Sequence, residues 1–206
     1  MILEQEIKLQ VSSEQQIELA ELTWLKQFKQ VSSQQKRLVS TYYDTPELSL
    51  IKQGTGLRLR NDNGDWWQTV KCTGQVKNGL HQREEWEHPL PSEQFDLELL
   101  KQTPVKSVIA DAALWSTIQP VFTTDFNRLE ILFELANNTL VELAYDVGRV
   151  YTAQAEEGIH EIELELKQGS IDELKQFAEL FVQNVAVDYH DESKAHRGYR
   201  LVRKAM

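Results

Sequence analysis

Glu4, Glu6 and Lys8 alternate with Leu3, Gln5, Ile7 and Leu9, so an extended strand places the three charges on one face. The habit recurs along the chain at Arg58/Arg60, Lys71, Arg83/Glu85/Glu87, Arg128/Glu130, Glu142/Asp146 and Glu161/Glu163/Glu165/Lys167. One charged face on a half-buried strand is ordinarily a solvated face. Repetition over many strands, in both signs, fits a different arrangement. If the strands close into a barrel with these faces inward, the lumen becomes a polar tunnel and the apolar faces are covered outside by helices. Lys and Arg beside carboxylates suit a metal-bound polyanion: Arg offers forks to phosphate oxygens, Lys a point charge, and carboxylate oxygens hold a hard divalent cation. Phosphoryl transfer asks for little more than positioning, charge neutralisation and an oriented water.

The elements that would position these residues follow from the pattern. A strand spans residues 3–9. A helix is expected over 12–30, capped by Ser12 or Ser13, with Ile17, Leu19, Ala20, Leu22, Trp24, Leu25 and Phe28 as its apolar stripe. Val39–Tyr43 reads as a strand closed by Asp44-Thr45-Pro46, with Pro46 opening a short helical turn through Leu50. Strands 57–60 and 66–71 flank the turn NDNGD at 61–65. A turn at 74–79 leads into a strand 81–87 ended by Pro89 and Pro91. Residues 92–118 read as two short helices split at Pro104. Strands 122–135, 140–146 and 159–167 follow, the first two joined at Asn137-Asn138, then a helix over 170–184 and a polar tail, HDESKAHRGYR. About eight strands and three or four helices in mostly antiparallel order make one α+β domain, without linker or repeat.

Composition narrows the class. The 206 residues carry 32 acidic and 22 Lys or Arg side chains, a net charge of −10. That balance argues against a nucleic-acid-coating or membrane-surface protein, which needs excess positive charge. Any anion site must be built locally. A single cysteine, Cys72, excludes internal disulfides and thiolate zinc cages and points to a reducing, cytoplasmic setting. No window approaches a membrane span, and MILEQEIKLQ is no signal peptide. Chain length suffices for a self-supporting core.

Here the residues resemble a known family. Glu4-Gln5-Glu6-Ile7-Lys8 resembles the E-x-E-x-K signature of the CYTH group of triphosphate tunnel metalloenzymes. YYDTPELSL (42–50), GLRLR (56–60), QTVK (68–71), EIELELK (161–167) and Ser193-Lys194 with Arg197-Gly198-Tyr199 resemble its further segments, in order. GLHQREEWE (79–87) and QPVFTTDF (119–126) are similar to the bacterial inorganic triphosphatase branch. The resemblance implies an eight-stranded antiparallel tunnel, with helices around it, that hydrolyses inorganic triphosphate to pyrophosphate and phosphate. It implies Glu4, Glu6, Glu163 and Glu165, with Glu161, as ligands of one or two Mg²⁺ or Mn²⁺ ions. Lys8, Arg58, Arg60, Lys71, Arg128 and Lys194 would grip the tripolyphosphate, joined by Arg83, Lys167 and Arg197. Asp146 and Glu85 would support a basic residue or a second metal, and Glu4 or Glu6 would orient the attacking water. A single CYTH domain over 1–206 is expected, without the helical histidine-rich domain found in some members, working as a monomer or homodimer. Adenylate cyclase, thiamine triphosphatase and nucleoside triphosphatase share such a tunnel, and a non-catalytic triphosphate sensor is a further reading. Retention of the carboxylates disfavours the sensor, since they weaken anion binding unless they hold a metal.

Other features have bland readings. Cys72 faces away from Lys71 and packs. The five histidines, at 81, 88, 160, 190 and 196, lack metal-ligand spacing and read as surface or rim residues. Trp66 and Trp67 face opposite ways and cannot form one stacking platform. Gly54 and Gly56 lack a P-loop continuation. Asp188, Asp191 and Glu192 read as a solvated run.

Overall fold

The computed structural model describes residues 2–12 and 16–205. Its ten strands are β1 (Ile2–Val11), β2 (Lys29–Asp44), β3 (Thr55–Asp62), β4 (Asp65–Cys72), β5 (Gln75–Lys77), β6 (Leu80–Leu90), β7 (Gln119–Glu134), β8 (Leu140–Tyr151), β9 (Glu156–Gln168) and β10 (Val187–Tyr189). They pair antiparallel in the order β10-β1-β9-β8-β7-β2-β3-β4-β6-β5, and a further β1–β6 pairing closes the ring. Eight strands therefore form a barrel, with β5 and β10 as short extensions. The helices are α1 (Ser49–Lys52), α2 (Leu97–Leu100), α3 (Lys106–Ala110), α4 (Ala112–Trp115), α5 (Ile171–Asn184) and α6 (Lys194–Ala205).

Tight turns fix the register. Asn63 and Gly64, both at positive φ (51° and 107°), join β3 to β4, as a two-residue hairpin requires. Asn137 and Asn138, each at φ 54°, do similar work between β7 and β8. The apolar faces of the strands lie outside, as the charged lumen requires. Ile7, Leu9, Leu143, Ile162 and Leu164 pack against Leu174, Phe177, Ala178 and Phe181 of α5. Leu57 and Val70 lie in a second core with Leu100 and Val108 of α2 and α3. A third, of Tyr42, Phe122, Phe126, Tyr199 and Leu201, seats α6 across one end of the barrel.

Several elements differ from the expectation. No helix covers the described part of 12–30; two 3-10 turns, Leu19–Glu21 and Thr23–Gln27, lie there instead, and Ser13 lies outside the described residues. Six of the seven stripe residues reach the core, and Ala20 stays exposed. Ile17, Leu19 and Leu25 are buried, and Trp24 sets its ring edge-on to Phe181, centroids 4.8 Å apart. Short i→i+3 turns bury them against α5, and packing outweighs a helical preference that is weak for an isolated stretch of this length. Strand β2 begins ten residues before Val39. Its first seven residues are all exposed, so no alternation marks them, and pairing with β7 holds them. Pro46 opens no helix; Leu48 takes a left-handed conformation and α1 starts at Ser49. The turn at 74–79 contains β5, β6 runs through Pro89, and residues 92–118 hold three helices.

The polar tail becomes β10 and α6. Ser193 Oγ accepts from the His196 amide and starts the helix, Lys194 and Arg197 share its inner face, and Tyr199 donates to Asp44 Oδ2 at 3.1 Å. Asp44 is fully buried and also accepts from the amides of Thr45, Leu50 and Ile51. One carboxylate thus ties the end of β2, the start of α1 and the plug helix together. Gly198 allows α6 to sit this close: a Cβ there would lie 2.2 Å from the Phe122 ring. Gly198→Ala is expected to lower stability by roughly 1–3 kcal/mol through overpacking, more than the helix-propensity gain of about 1 kcal/mol returns. An unchanged or raised melting temperature would contradict this seating.

Candidate active site

Inside the barrel lies a cavity of about 370 Å³. Among the described residues, nine basic and nine acidic side chains line it, out of 25 lining residues. The cause is the two-residue period: each strand turns its charged face inward, and closure brings all of them to one axis. Lys8, Arg58, Arg60, Lys71, Arg83, Arg128, Lys167 and Lys194 line this cavity, as do Glu4, Glu6, Glu85, Glu163 and Glu165. Asp146, Glu161 and Arg197 stand behind the wall, fully buried or nearly so.

At the α6 end the charges interlock. Arg128 forks onto Asp146, both bonds 2.7 Å, and reaches Glu163 at 2.6 Å. Lys194 Nζ contacts Asp146 at 2.6 Å, Glu163 at 2.9 Å and also Glu161, which Arg197 binds from the other side. Lys8 pairs with Glu163 and, at 3.1 Å, with Glu6. Phe126 floors this end, 5.0 Å below Lys194 and 5.6 Å below Arg128. Burial alone would raise the carboxyl pKa values, but the surrounding cations override it. Lys194, Lys8 and Arg128 hold Glu163 well below the usual carboxylate range, and Arg128 and Lys194 lower Asp146. Burial opposes protonation of Lys194, yet Asp146, Glu161 and Glu163 raise its pKa.

The β1–β6–β4 wall carries a second network. Lys71 and Arg83 donate to Glu4 at 2.9 and 2.6 Å, and Arg83 also reaches Glu6 at 2.5 Å. Against the effect of burial, they hold Glu4 well below its ordinary value. Lys71 also meets Glu85 at 2.9 Å, and Arg58 lies 3.7 and 3.6 Å from Glu85 and Glu87. Arg58 Nε has no partner among the described residues. Arg60 is bonded only to Ser40 Oγ at 3.0 Å. Among the described residues it is the one lumen cation without a carboxylate at ion-pair distance, and burial beside Arg58 and Arg128 lowers its pKa to about 10. A half-buried guanidinium held among like charges is a seat for an anion.

Carboxylates alone supply the donors for a cation. The Asp146, Glu161 and Glu163 oxygens lie within 4.8 Å of one another, but Arg128, Lys194 and Arg197 already engage them. Of these three only Glu163 lines the lumen, where Glu4, Glu6 and Glu165, each also paired with a cation, open beside it, Glu6 opposite Glu165 across the β1–β9 ladder. Burial, with Glu4 and Glu142 adding to it against the pull of Lys167, pushes Glu165 up to about 7. An all-oxygen donor set with one carboxyl that needs added positive charge to stay ionised fits a hard divalent cation.

Sequence reasoning did not find Lys36, Asp62 or Tyr42 as lining residues, and it gave Glu87, Glu130 and Glu142 no role. Their inward direction was legible for Glu130 and Glu142 through alternation with apolar neighbours, and for Glu87 through its shared face with Arg83 and Glu85. Lys36 and Asp62 sit among polar residues on both sides and carry no such signal. Trp67 lines the lumen as its face implies. His81 corrects the surface reading of the histidines. It is 2% exposed, its Nε2 3.3 Å from the His190 carbonyl oxygen, and burial lowers its pKa. Of the acidic run, Asp191 accepts from the Gly79 amide at 2.7 Å and Glu192 pairs with Arg200. Replacing Asp146 by Asn is expected to destabilise the fold by about 3 kcal/mol, because Arg128 and Lys194 lose a buried counter-charge. Urea denaturation measures it, and a loss below about 0.5 kcal/mol, the surface-substitution range, would contradict the network.

Comparison with known proteins agrees with this architecture. The CYTH domain model matches residues 3–199. The chain is 36% identical to an inorganic triphosphatase from Haemophilus influenzae, the match covering 98% of this chain and 55% of that protein, so the chain spans about half the length of this relative. Among solved structures, a Hippeastrum protein assigned as an adenylyl cyclase, with a dominant triphosphatase activity, superposes with a TM-score of 0.62 at 17% identity, over 98% of this chain and 96% of that one. The PH1819 protein of Pyrococcus horikoshii does so with 0.54 at 16% identity, over 95% and 98%. At these identities the two structures speak to the fold. With its tunnel, its motif order and the family match in agreement, the chain belongs to the CYTH domain family.

Proposed function

We propose that this chain hydrolyses inorganic triphosphate to pyrophosphate and phosphate with Mg²⁺ or Mn²⁺. The observation that carries the reading is the lumen itself, where basic side chains converge from most of the strands and Arg60 lacks an acidic partner among the described residues. Lys8, Arg58, Arg60, Lys71, Arg83, Arg128, Lys167 and Lys194 contact the substrate, and Arg197 acts from behind through Glu161. Glu4, Glu6, Glu163 and Glu165 hold the divalent cation. When bound, the cation supplies charge neutralisation at the phosphate oxygens and orientation of water. Glu161 and Asp146, closed off behind Lys194 and Arg128, fit mounts for those cations better than metal ligands; Glu85 mounts Lys71 and Arg58 in the same way. The relative from Haemophilus supports the substrate assignment. The lone half-buried Cys72 supports a reducing, cytoplasmic setting, and among the described residues no helix is long and apolar enough to cross a membrane.

The chain's own residues account for most of the chemistry. Lys and Arg pre-placed in a low-dielectric lumen stabilise charge that builds on the leaving pyrophosphate, without reorganising when the reaction occurs. Glu4 or Glu6 accepts a hydrogen bond from water and aims its oxygen at the terminal phosphorus, in line with the bond to the departing bridging oxygen. Phosphate release from tripolyphosphate, ATP and thiamine triphosphate, with Mg²⁺, Mn²⁺ and Ca²⁺, tests the proposal. Tripolyphosphate is expected to be preferred, and Glu4→Gln to lose roughly a hundredfold or more while still folding. Preference for ATP or thiamine triphosphate would move the activity elsewhere on the same tunnel; binding without turnover would make the chain a sensor.

A further inference from the structure

Away from α6 the tunnel changes sign. At the end framed by the β3–β4 and β7–β8 turns, Lys36 is bracketed by Asp62 at 3.6 Å and Glu130 at 3.0 Å. Beside it Lys167 lies between Glu142 and Glu165, at 3.2 and 2.8 Å. These six side chains keep 13–36% of their exposure, against 2% for Lys8 at the plugged end, so this is the mouth open to solvent. Four carboxylates here face two ammonium groups that are each engaged twice. Deeper in the lumen the sign reverses: Arg58, 6% exposed, has an unpartnered Nε, and Arg60 has no carboxylate partner among the described residues. Asp62 and Glu130 each stand two residues beyond Arg60 and Arg128 on the same strand face, about 7 Å further out.

We propose that Asp62 and Glu130 form a chain-length gate. Three phosphoryl groups reach from the inner cations as far as Lys167, whereas the further phosphates of a longer polyphosphate must pass Asp62 and Glu130, whose charge Lys36 only partly offsets. This inference rests on the triphosphate reading of the tunnel and adds an upper limit to the substrate's length. Neither Asp62 nor Glu130 serves the inner site, so neutralising both should leave triphosphate handling largely intact, free Lys36 and admit longer chains.

The test measures affinity for tripolyphosphate and for long-chain inorganic polyphosphate by calorimetry at fixed free Mg²⁺, with phosphate release followed alongside. In the Asp62→Asn/Glu130→Gln variant, the preference for tripolyphosphate over long chains should fall about tenfold, the size expected for removing two charges at this distance in a partly solvated mouth. Discrimination by the wild type should also shrink as NaCl is raised, because the Debye length is only about 10 Å at 0.1 M. An unchanged preference in the folded variant overturns the gate while leaving the triphosphatase reading intact. A shifted preference without hydrolysis supports the gate and overturns that reading. If the variant does not fold, the salt series decides: discrimination that ignores salt, or equal binding of both lengths by the wild type, overturns the proposal.

Discussion

Burying a charge costs several kcal/mol unless a partner is supplied, and in this protein the rule applies to a whole lumen at once. Closure of β1 onto β6 brings nine basic and nine acidic side chains to one axis. Neither set could be present without the other. A lumen of cations alone would repel itself out of the closed state, and one of carboxylates alone would take up protons instead of metal. Interlocked, the two sets pair in the resting tunnel and are available to a ligand that brings both signs, as a triphosphate with a divalent cation does.

Because the lumen is polar, the usual inside and outside of a barrel are exchanged. Hydrophobic stabilisation has to come from the outer faces, which is why Phe177 and Phe181 of α5, the 17–28 segment and helices α2–α4 wrap the strands. The plug helix α6 belongs to both layers. Its Tyr199 and Leu201 pack into the core, while Lys194 and Arg197 deliver charge to the lumen and its inner mounts. The buried Asp44 carboxylate, holding Tyr199 and three amides, links the segment after β2 to this helix. Two segments of the family signature far apart in the chain therefore meet in a structural latch, while others supply the lumen charges.

Much of this was legible where alternation has a period of two and one face is apolar. Glu4, Glu6, Lys8, Arg58, Arg60 and Glu161–Lys167 were readable for that reason, and the two-sign repetition over many strands was enough to infer a tunnel. Legibility failed where both faces are polar, as at Lys36 and in the exposed start of β2, because such a strand is held by its ladder and not by burial. It failed again at α6, whose inner face carries Lys194 and Arg197 in place of apolar residues, so a buried helix resembled a solvated tail. In the 17–28 segment the residues destined for the core were identified but their conformation was not, since tertiary packing decides between a helix and successive turns there.

The central claim is that one lumen holds the triphosphate and the divalent cation as a single unit, and coupled calorimetry tests it most directly. Mn²⁺ affinity would be measured with and without saturating tripolyphosphate, and tripolyphosphate affinity with and without Mn²⁺. The account predicts that each tightens the other by the same factor, as linkage requires, and by roughly 5-fold or more. Tripolyphosphate binding that is indifferent to the metal, or weakened by it, would contradict a shared site and with it the role given to the lumen carboxylates.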